Sequence, residues 1–358
     1  MTASTDIGAL ARPEIRALKP YASARALADS AGILLNANEN PFPPQGDGGL
    51  RLNRYPDPQP PELKARLAAL YGTEPERLLI TRGSDEGIDL LVRVFCRPGS
   101  DAVLVCPPCF GMYALSARVQ GAPVIEARLI EDQPDWRAPD DLAERAAACR
   151  IAFLCSPNNP TGNLLDPATV TAVAEAMAGS GLVVVDEAYV EFAPETTVLE
   201  LQRQYPHLVV LRTLSKAHAL AGCRLGTVIA DPAVIDLLRR IIAPYPLPTP
   251  TVHAALTALA PEALDRECDQ LATLATEKAR LVAALREHPR VRTLWPGHAN
   301  FVLARVDDGP ALIEQAACAG IRLRDQSAQP GLEYCVRITI GTPAETDALL
   351  DFLEGLRP

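Results

Sequence analysis

Lys216 lies in the segment Thr213–Arg224, TLSKAHALAGCR, among small and apolar residues and with no carboxylate between the two cations. The flanks of Lys216 offer no apolar stripe along which its stem could reach solvent. A lysine held away from water has a lowered pKa, and its neutral amine is a nucleophile. We therefore predict a chemically active amine, with Ser215 and Arg224 placed to grip a phosphate beside it.

A run of small and acidic residues follows the apolar segment 78–81, LLIT. Gly83, Ser84 and Asp85 open a helical pattern there, so their backbone N–H groups could bind an anion. A plain helix cap by Ser84 or Asp85 explains the same residues and is the simpler alternative when this segment is taken alone. The chain has neither a GxGxxG motif after its first strand nor a GxxxxGK[ST] motif, so a dinucleotide site or a P-loop is not indicated.

Three further polar side chains follow apolar runs. Asn159 lies in the proline-bounded turn SPNNPTG, where ordinary turn chemistry is the alternative to an amide aimed at a ligand. Asp186 directly follows LVVV, and a buried carboxylate is costly unless a positive group meets it. A cap of the next turn also explains Asp186, but leaves Tyr189 unexplained. Together with the phosphate grip and Lys216, these residues are the set that pyridoxal 5′-phosphate requires.

Short apolar runs alternate with helical stretches from residue 78 to residue 230. This alternation is typical of an α/β fold with a mainly parallel central sheet covered on both faces. Ligands of such sheets bind at the carboxyl ends of the strands, where the polar residues above lie. The predicted strands are LLIT (78–81), AVLV (102–105), APVIEA (122–127), IAFLC (151–155), LVVVD (182–186), LVVLRT (208–213) and GTVIA (226–230).

The two ends of the chain differ from this central pattern. Residues 1–62 are rich in proline and predict an extended arm with little regular structure, followed by a helix that ends at Gly72. The proline-rich segment 241–250 predicts a hinge, and residues 251–288 predict one long amphipathic helix. Strands at 301–306 and 334–340, with a helix near 310–319, complete a smaller α+β domain. The predicted domains are an N-terminal arm at 1–45, a large domain at 46–245 and a small domain at 246–358.

Composition limits the function classes. The 358 residues include 34 Lys and Arg against 44 Asp and Glu, a net charge of -10, which argues against nucleic acid as a partner. No apolar run approaches the ~20 residues that cross a bilayer, and the N-terminus lacks a signal-peptide pattern, so we predict a cytoplasmic protein with no membrane partner. Nine scattered cysteines argue against a disulfide framework. Cys106 and Cys109 lack the further ligands of a zinc site, so no metal is predicted.

The chain resembles the class I/II aminotransferases of fold type I, and more narrowly the histidinol-phosphate aminotransferases, over essentially its whole length. SPNNPTG, DEAY and the SK…R pair are specific for the superfamily, whereas NRYPDPQP, RGSDEGIDLL, APYPLPTP and LRDQ narrow the resemblance. The resemblance implies a ping-pong reaction in histidine biosynthesis that converts L-histidinol phosphate and 2-oxoglutarate to imidazole acetol phosphate and L-glutamate. It also implies a homodimer with shared active sites.

The resemblance implies roles for individual residues around the cofactor. Lys216 would carry pyridoxal 5′-phosphate covalently and move the substrate proton, and Asp186 would pair with the pyridinium nitrogen. Tyr189 and Asn159 would hydrogen-bond the ring oxygen. The remaining implied cofactor contacts are Gly83, Ser84, Asp85, Ser215 and Arg224 at the phosphate and Phe110 over the ring.

On the substrate side the resemblance implies that Arg337, supported by Arg324, anchors a carboxylate or phosphate. One such site would accept histidinol phosphate and glutamate in turn. Tyr55 would reach the phosphate in the neighbouring subunit's site, and Tyr21 and Asn38 would line the substrate side through the N-terminal arm.

The chain departs from the commonest family pattern at two places. Phe110 stands where tyrosine is common, which keeps a stacking face and loses a hydroxyl. His218 replaces an aromatic residue and is expected to pack or hydrogen-bond. The alternatives within the same fold are a threonine-phosphate decarboxylase and an aromatic aminotransferase. A regulator that binds the cofactor would need a DNA-binding domain for which the chain has no spare length, and a nicotinamide dehydrogenase would need the missing glycine motif.

Overall fold

The computed structural model describes residues 6–21 and 32–356. Its largest sheet has seven strands, and a separate two-stranded hairpin stands beside it. In chain order the strands are β1 (Leu78–Thr81), β2 (Val103–Val105), β3 (Val124–Glu126), the hairpin strands β4 (Ile130–Asp132) and β5 (Asp135–Arg137), β6 (Ile151–Cys155), β7 (Leu182–Asp186), β8 (Leu208–Thr213) and β9 (Gly226–Ile229). The order across the large sheet is β1-β9-β8-β7-β6-β2-β3, which confirms the predicted mainly parallel sheet.

One strand of the large sheet runs against the others. β2, β3, β6, β7 and β8 pair with one another in parallel, whereas β9 is antiparallel to both of its neighbours, β1 and β8. The amino end of β9 therefore lies at the edge where the other strands have their carboxyl ends. Gly226, at this end, is opposite Thr81 in one neighbour and Thr213 in the other. Arg224 comes two residues before Gly226, the first residue of β9. It therefore lies at the edge of the sheet where β8 ends.

Helices cover both faces of this sheet, and its central strands β6, β7 and β8 are buried at every position. Val183 and Val185 of β7 pack into one core cluster, and Val184 packs into the cluster on the opposite face, as the alternation of side chains along a strand requires. The helices are α1 (Ile7–Leu10), α2 (Pro13–Ala17), α3 (Pro61–Tyr71), α4 (Ser84–Phe95), α5 (Met112–Gln120), α6 (Leu142–Ala147), α7 (Pro167–Ala176), α8 (Pro232–Arg239), α9 (Thr249–Ala258), α10 (Pro261–Arg286), α11 (Gly309–Cys318) and α12 (Pro343–Glu354).

The N-terminal segment corrects one prediction. We expected little regular structure in residues 1–62, yet α1 and α2 form there because their apolar side chains reach the core. Ile7, Leu10 and Ile15 are buried in the cluster that also contains residues of α4. The predicted helix end at Gly72 is confirmed, since Gly72 takes the left-handed conformation (φ 65°) that closes α3.

A second sheet lies in the C-terminal part of the chain. Its strands are β10 (Val291–Trp295), β11 (Phe301–Val306), β12 (Arg324–Asp325) and β13 (Cys335–Thr339), all antiparallel in the order β10-β11-β13-β12. Apolar residues of α10, α11 and α12 form a core cluster with this sheet. The domain boundaries at residues 45 and 245 stay a prediction.

The single long helix predicted over 251–288 is wrong. The structure has α9 and α10 there, separated at Leu259 and Ala260. Pro261 is the first residue of α10, and a proline lacks the N–H and the space that a continuous helix needs at this point. β4, β5, β10 and β12 were not predicted.

Among the helices of the described residues, none combines the length and the apolar character that a membrane span requires.

Candidate active site

The carboxyl edge of the large sheet opens into a cleft of about 630 Å³. β1, β6, β7 and β8 end near this edge, and β9 begins there, so residues far apart in sequence meet. The predicted site residues that line the cleft are Ser84, Asp85, Phe110, Asn159, Asp186, Tyr189, Ser215, Lys216, Arg224, Arg324 and Arg337.

Asp186 ends β7 as a buried carboxylate. Its Oδ2 accepts a hydrogen bond from Tyr113 Oη at 2.6 Å, and its Oδ1 accepts one from Ala188 N at 3.0 Å. Burial raises the pKa of Asp186 to about 6. Within residues 6–21 and 32–356 no cationic side chain forms an ion pair with it. Asp186 is therefore a buried hydrogen-bond acceptor for a positive group that the described residues do not supply.

Tyr113 is a member of the site that the sequence analysis missed. It lies in the first turn of α5, is fully buried and stacks on Phe153 with ring centroids 4.8 Å apart. The rings of Phe110 and Tyr113 meet edge to face, with their centroids 5.7 Å apart. The only sequence signal is a tyrosine three residues after Phe110, and nothing in that spacing indicates a bond to a carboxylate that is 73 positions away.

Lys216 follows β8 and points into the cleft. Its Nζ lies 5.5 Å from the centroid of the Tyr189 ring. Burial, assisted by the nearby positive charge of Arg337, lowers the pKa of Lys216. Lys216 is nevertheless exposed within the open cleft, so the predicted exclusion from water is only partial. Its lowered pKa increases the fraction of neutral, nucleophilic amine at physiological pH.

A polar corner is formed where α4 begins. Arg224 Nη2 donates to Asp85 Oδ2 at 3.0 Å, and Arg224 Nη1 donates to Ser215 Oγ at 3.4 Å. The N-cap of α4 is Gly83, and no side chain caps the helix. The alternative of a plain cap by Ser84 or Asp85 is therefore wrong. The first turn of α4 lies beside the guanidinium of Arg224, an arrangement that suits an anion.

Two glycines make this corner possible. Gly83 has φ 78°, and a Cβ added to it would lie 2.6 Å from Arg224 Nη2. A Cβ on Gly226 would lie 2.3 Å from both Gly83 C and Ser84 N. The start of β9 thus packs directly on the backbone that opens α4, with no room for a methyl group.

We expect Gly226→Ala to lower the free energy of unfolding by about 2 kcal/mol, because the added methyl must push the Gly83–Ser84 peptide away. Urea denaturation of wild type and variant measures the difference. Gly222→Ala is the matched control, since a Cβ at Gly222 meets nothing within 4 Å. Equal stability of the Gly226 variant and the wild type would contradict the close packing.

The opposite wall of the cleft belongs to the second sheet. Arg337, on β13, donates through Nη1 to Asn159 Oδ1, and its guanidinium lies 5.2 Å from the centroid of the Phe301 ring. Asn159 Nδ2 in turn donates to Tyr189 Oη at 3.3 Å. Burial lowers the pKa of Arg337, and its Nε is buried without a hydrogen-bond partner among the described residues. Arg324 is paired with Arg337 across β12 and β13, so two guanidinium groups are placed on this side.

Three predicted substrate residues lie elsewhere. Tyr21 is exposed, and Asn38 and Tyr55 line a separate cavity of about 390 Å³. The Tyr55 ring stacks on Tyr245 with centroids 4.4 Å apart. None of the three lines the cleft of its own chain, and their roles stay a prediction.

His218 and Cys106 are buried, whereas Cys109 is half-buried and lines the cleft. The Nδ1 of His218 lies 2.8 Å from Glu267 Oε2, so His218 is a hydrogen-bonding residue. Burial raises the pKa of Cys109 to about 12 and that of Cys106 still further, which keeps both thiols protonated. Across the part of the chain that the structure describes, no cluster of three or more His, Cys, Asp or Glu side chains could hold a metal ion.

Comparison with known proteins agrees with this geometry. Residues 32–353 match the family "Aminotransferase class I and II". The histidinol-phosphate aminotransferase of Xylella fastidiosa is 47% identical over 351 residues, 97% of this chain and 96% of that protein. The enzyme of the same name from Stenotrophomonas maltophilia is 46% identical over 355 residues, 98% of each chain.

Among solved structures, the histidinol-phosphate aminotransferase from Sinorhizobium meliloti, in complex with pyridoxal-5′-phosphate, superposes with a TM-score of 0.76 at 25% identity. The match covers 89% of this chain and 90% of that one. From the family match and the full-length relatives together, the chain belongs to the class I and II aminotransferases and, within them, to the group of the histidinol-phosphate aminotransferases.

Proposed function

We propose that this protein is a pyridoxal 5′-phosphate-dependent aminotransferase that transfers the amino group of L-histidinol phosphate to 2-oxoglutarate in histidine biosynthesis, giving imidazole acetol phosphate and L-glutamate. The observation that carries the chemistry is Lys216, an amine with a lowered pKa in a cleft that also holds Asp186 and the Arg224 corner. The substrate pair is supported by the names of relatives that are 46% and 47% identical over nearly the full length.

The residues of the cleft fit the cofactor at two places, the ring nitrogen and the phosphate. Asp186 is a buried carboxylate without a cationic partner among the described residues, which suits a protonated ring nitrogen. Arg224, Ser215 and the first amides of α4 suit a phosphate. The close approach at Gly226 keeps side chains out of the phosphate corner. When bound, pyridoxal phosphate supplies an electron sink for the electrons released as the substrate's Cα–H bond breaks.

The protein's own groups would then divide the work. Lys216 would hold the cofactor covalently before substrate arrives, and its Nζ would afterwards carry the proton from the substrate carbon to the cofactor. Asp186, positioned by Tyr113, would keep the proton on the ring nitrogen. Tyr189 and Asn159 would donate hydrogen bonds to the ring oxygen, and Phe110 would cover one face of the ring.

Substrate recognition would rest on the two arginines of the second sheet. Histidinol phosphate carries a phosphate and 2-oxoglutarate carries carboxylates. Arg337 has an Nε without a hydrogen-bond partner among the described residues, so its planar guanidinium could bind either anion. Arg324 on the neighbouring strand would add charge without competing for the same hydrogen bonds. Both half-reactions would thus use one anion site in turn.

We also propose a homodimer with shared active sites. Tyr55 and Asn38 line a cavity apart from the cleft, and Tyr21 is exposed, so all three are available to a neighbouring subunit. In this arrangement Tyr55 would contact the substrate phosphate bound in the partner's cleft. Sedimentation at the mass of one 38.4 kDa chain under assay conditions would exclude this assembly.

The half-reaction tests the proposed function directly. Purified protein carrying pyridoxal phosphate is titrated with L-histidinol phosphate in the absence of keto acid, and the absorbance of the bound cofactor is recorded. We expect the starting band to be replaced by that of the aminated cofactor, and 2-oxoglutarate to restore the original spectrum. A band that does not respond would reject the substrate, and threonine phosphate and the aromatic amino acids would then be tried. No band after addition of cofactor would reject the role of Lys216.

A further inference from the structure

Lys278 is one of the few lysines of this chain, and its ammonium group binds backbone carbonyls. The chain has four lysines, at positions 19, 64, 216 and 278, against thirty arginines. Lys278 is half-buried in α10, and within the described residues it forms no ion pair. Its Nζ donates instead to two backbone oxygens, Gly297 O at 2.8 Å and Ala299 O at 2.7 Å. The ammonium group of Lys278 makes these two hydrogen bonds in place of bonds to water, so we expect it to hold the backbone of residues 297–299 in position.

These carbonyls belong to the turn between β10 and β11, residues 296–300, here called the Gly297 turn. The turn lies against the SPNNPTG segment, because His298 N donates to Gly162 O at 2.7 Å. A Cβ on Gly297 would lie 2.6 Å from Gly162 Cα. The two backbones therefore touch without an intervening side chain, and a shift of the Gly297 turn must be passed to the segment that carries Asn159.

The Gly297 turn also supports the cleft from below. Ala299 and Phe301 pack in one cluster with Tyr189. The Phe301 and Tyr189 rings meet edge to face, with their centroids 5.3 Å apart. The Phe301 ring also lies beside the guanidinium of Arg337, whose Cζ is 5.2 Å from the ring centroid. Arg337 and Tyr189 each hydrogen-bond Asn159. The turn held by Lys278 is thus in contact with the residues that set the substrate arginine and the cofactor phenol.

We propose that Lys278 is a positioning residue of the active site, which locks the Gly297 turn against the Asn159–Gly162 segment and thereby holds Arg337 at the position where it binds the substrate anion. The proposal rests on the function proposed above and adds a residue outside the cleft to it. Lysine suits this place because a single Nζ reaches both carbonyls, whereas the planar guanidinium of arginine spreads its donors over a fork. Burial lowers the pKa of Lys278 to about 8, which agrees with a cation held by neutral acceptors alone.

Lys278→Met keeps the stem and removes the ammonium group. We expect KM for histidinol phosphate and for 2-oxoglutarate to rise about tenfold while kcat changes less than about threefold, because the anion anchor is misplaced and the amine chemistry is intact. Calorimetric titration with succinate, an unreactive dicarboxylate, should show a similar loss of affinity in the absence of turnover. Lys64→Met is the matched control, since burial also lowers the pKa of Lys64 and it lies on α3, outside the cleft.

Each outcome decides the proposal. Wild-type KM and succinate affinity in Lys278→Met would overturn it, and so would a loss of thermal stability with unchanged KM, which would make Lys278 merely structural. If Lys278→Met does not fold, Lys278→Gln, which loses the charge but keeps a donor, should raise KM several-fold, and an unchanged KM would overturn the proposal. A wild-type protein that fails to turn over histidinol phosphate would reject the proposed function alone, because the succinate titration still compares wild type and variant.

Discussion

Lys216→Ala is expected to lower kcat for transamination of histidinol phosphate by about 10⁴-fold or more, because it removes both the covalent attachment point and the proton carrier. Of the described residues that line the cleft, Lys216 is the one that carries an amine. The fold should persist, since burial already disfavours the charged form of Lys216 and its loss leaves no buried partner without a bond. Steady-state turnover, with far-ultraviolet circular dichroism and thermal unfolding, measures both parts.

Lys64→Ala provides the control for Lys216→Ala, because Lys64 is also a partly buried lysine and lies on α3. Its turnover should equal that of the wild type. Turnover of the Lys216 variant within tenfold of the wild type would contradict the assignment of Lys216 as the reacting amine.

Asp186→Asn is expected to stabilise the cofactor-free protein and to inactivate the enzyme. In the fold the pKa of Asp186 is raised from 3.8 to about 6, so the native state binds a proton more tightly than the unfolded state. The stability of the cofactor-free protein therefore falls as pH rises from about 4 through about 6 and is constant above that range. The pKa difference corresponds to about 3 kcal/mol of unfolding free energy at neutral pH, which asparagine would recover.

In the enzyme that carries the cofactor, the same substitution is expected to be harmful, and its effect is on kcat. The Asp186 carboxylate would then pair with a protonated ring nitrogen, and its loss should lower kcat by about 10²- to 10³-fold, as for other preorganised electrostatic groups. Urea denaturation of the cofactor-free protein at pH 5 and pH 7, with kcat of the loaded enzyme, measures both effects. Unchanged kcat would show that Asp186 has only a structural role.

Asp101→Asn is a control of opposite sign. Although burial opposes it, hydrogen bonds from Arg97 lower the pKa of Asp101, so its charged form stabilises the fold and is lost as pH falls. The Asp101 variant should therefore be less stable than the wild type at pH 7, with no change in kcat. A gain of stability at both positions would indicate a general effect of removing negative charge from an acidic protein.

Much of the central sheet could be predicted because its strands are buried along their whole length. The runs at 78–81, 151–155, 182–186 and 208–213 are continuous, apolar and bounded by polar or glycine-containing segments, and the structure has strands with these same bounds. The alternation of strands and helices also predicts that their carboxyl ends share one edge. Asn159, Asp186 and Lys216 could therefore be grouped before any coordinates were known.

Other features depend on information that an apolar pattern does not carry. GTVIA reads the same for a parallel or an antiparallel strand, so the direction of β9, which places Arg224 beside Ser215, could not be predicted. Tyr113 meets Asp186 only through the packing of α5 on the sheet. The hairpin β4–β5 has strands of three residues, too short to show a period.

Asn159 connects the two walls of the cleft through the two ends of one amide. Its oxygen accepts from Arg337 and its nitrogen donates to Tyr189, so the group cannot be turned over without breaking both bonds. Aspartate would offer no donor and leucine would offer neither, although both have nearly the same size. If Arg337 binds the substrate anion as proposed, any shift of its guanidinium on binding would also disturb the amide that hydrogen-bonds the phenol of Tyr189. Through the single side chain of Asn159, binding of either substrate would then affect the hydrogen bonds that the cofactor ring oxygen accepts.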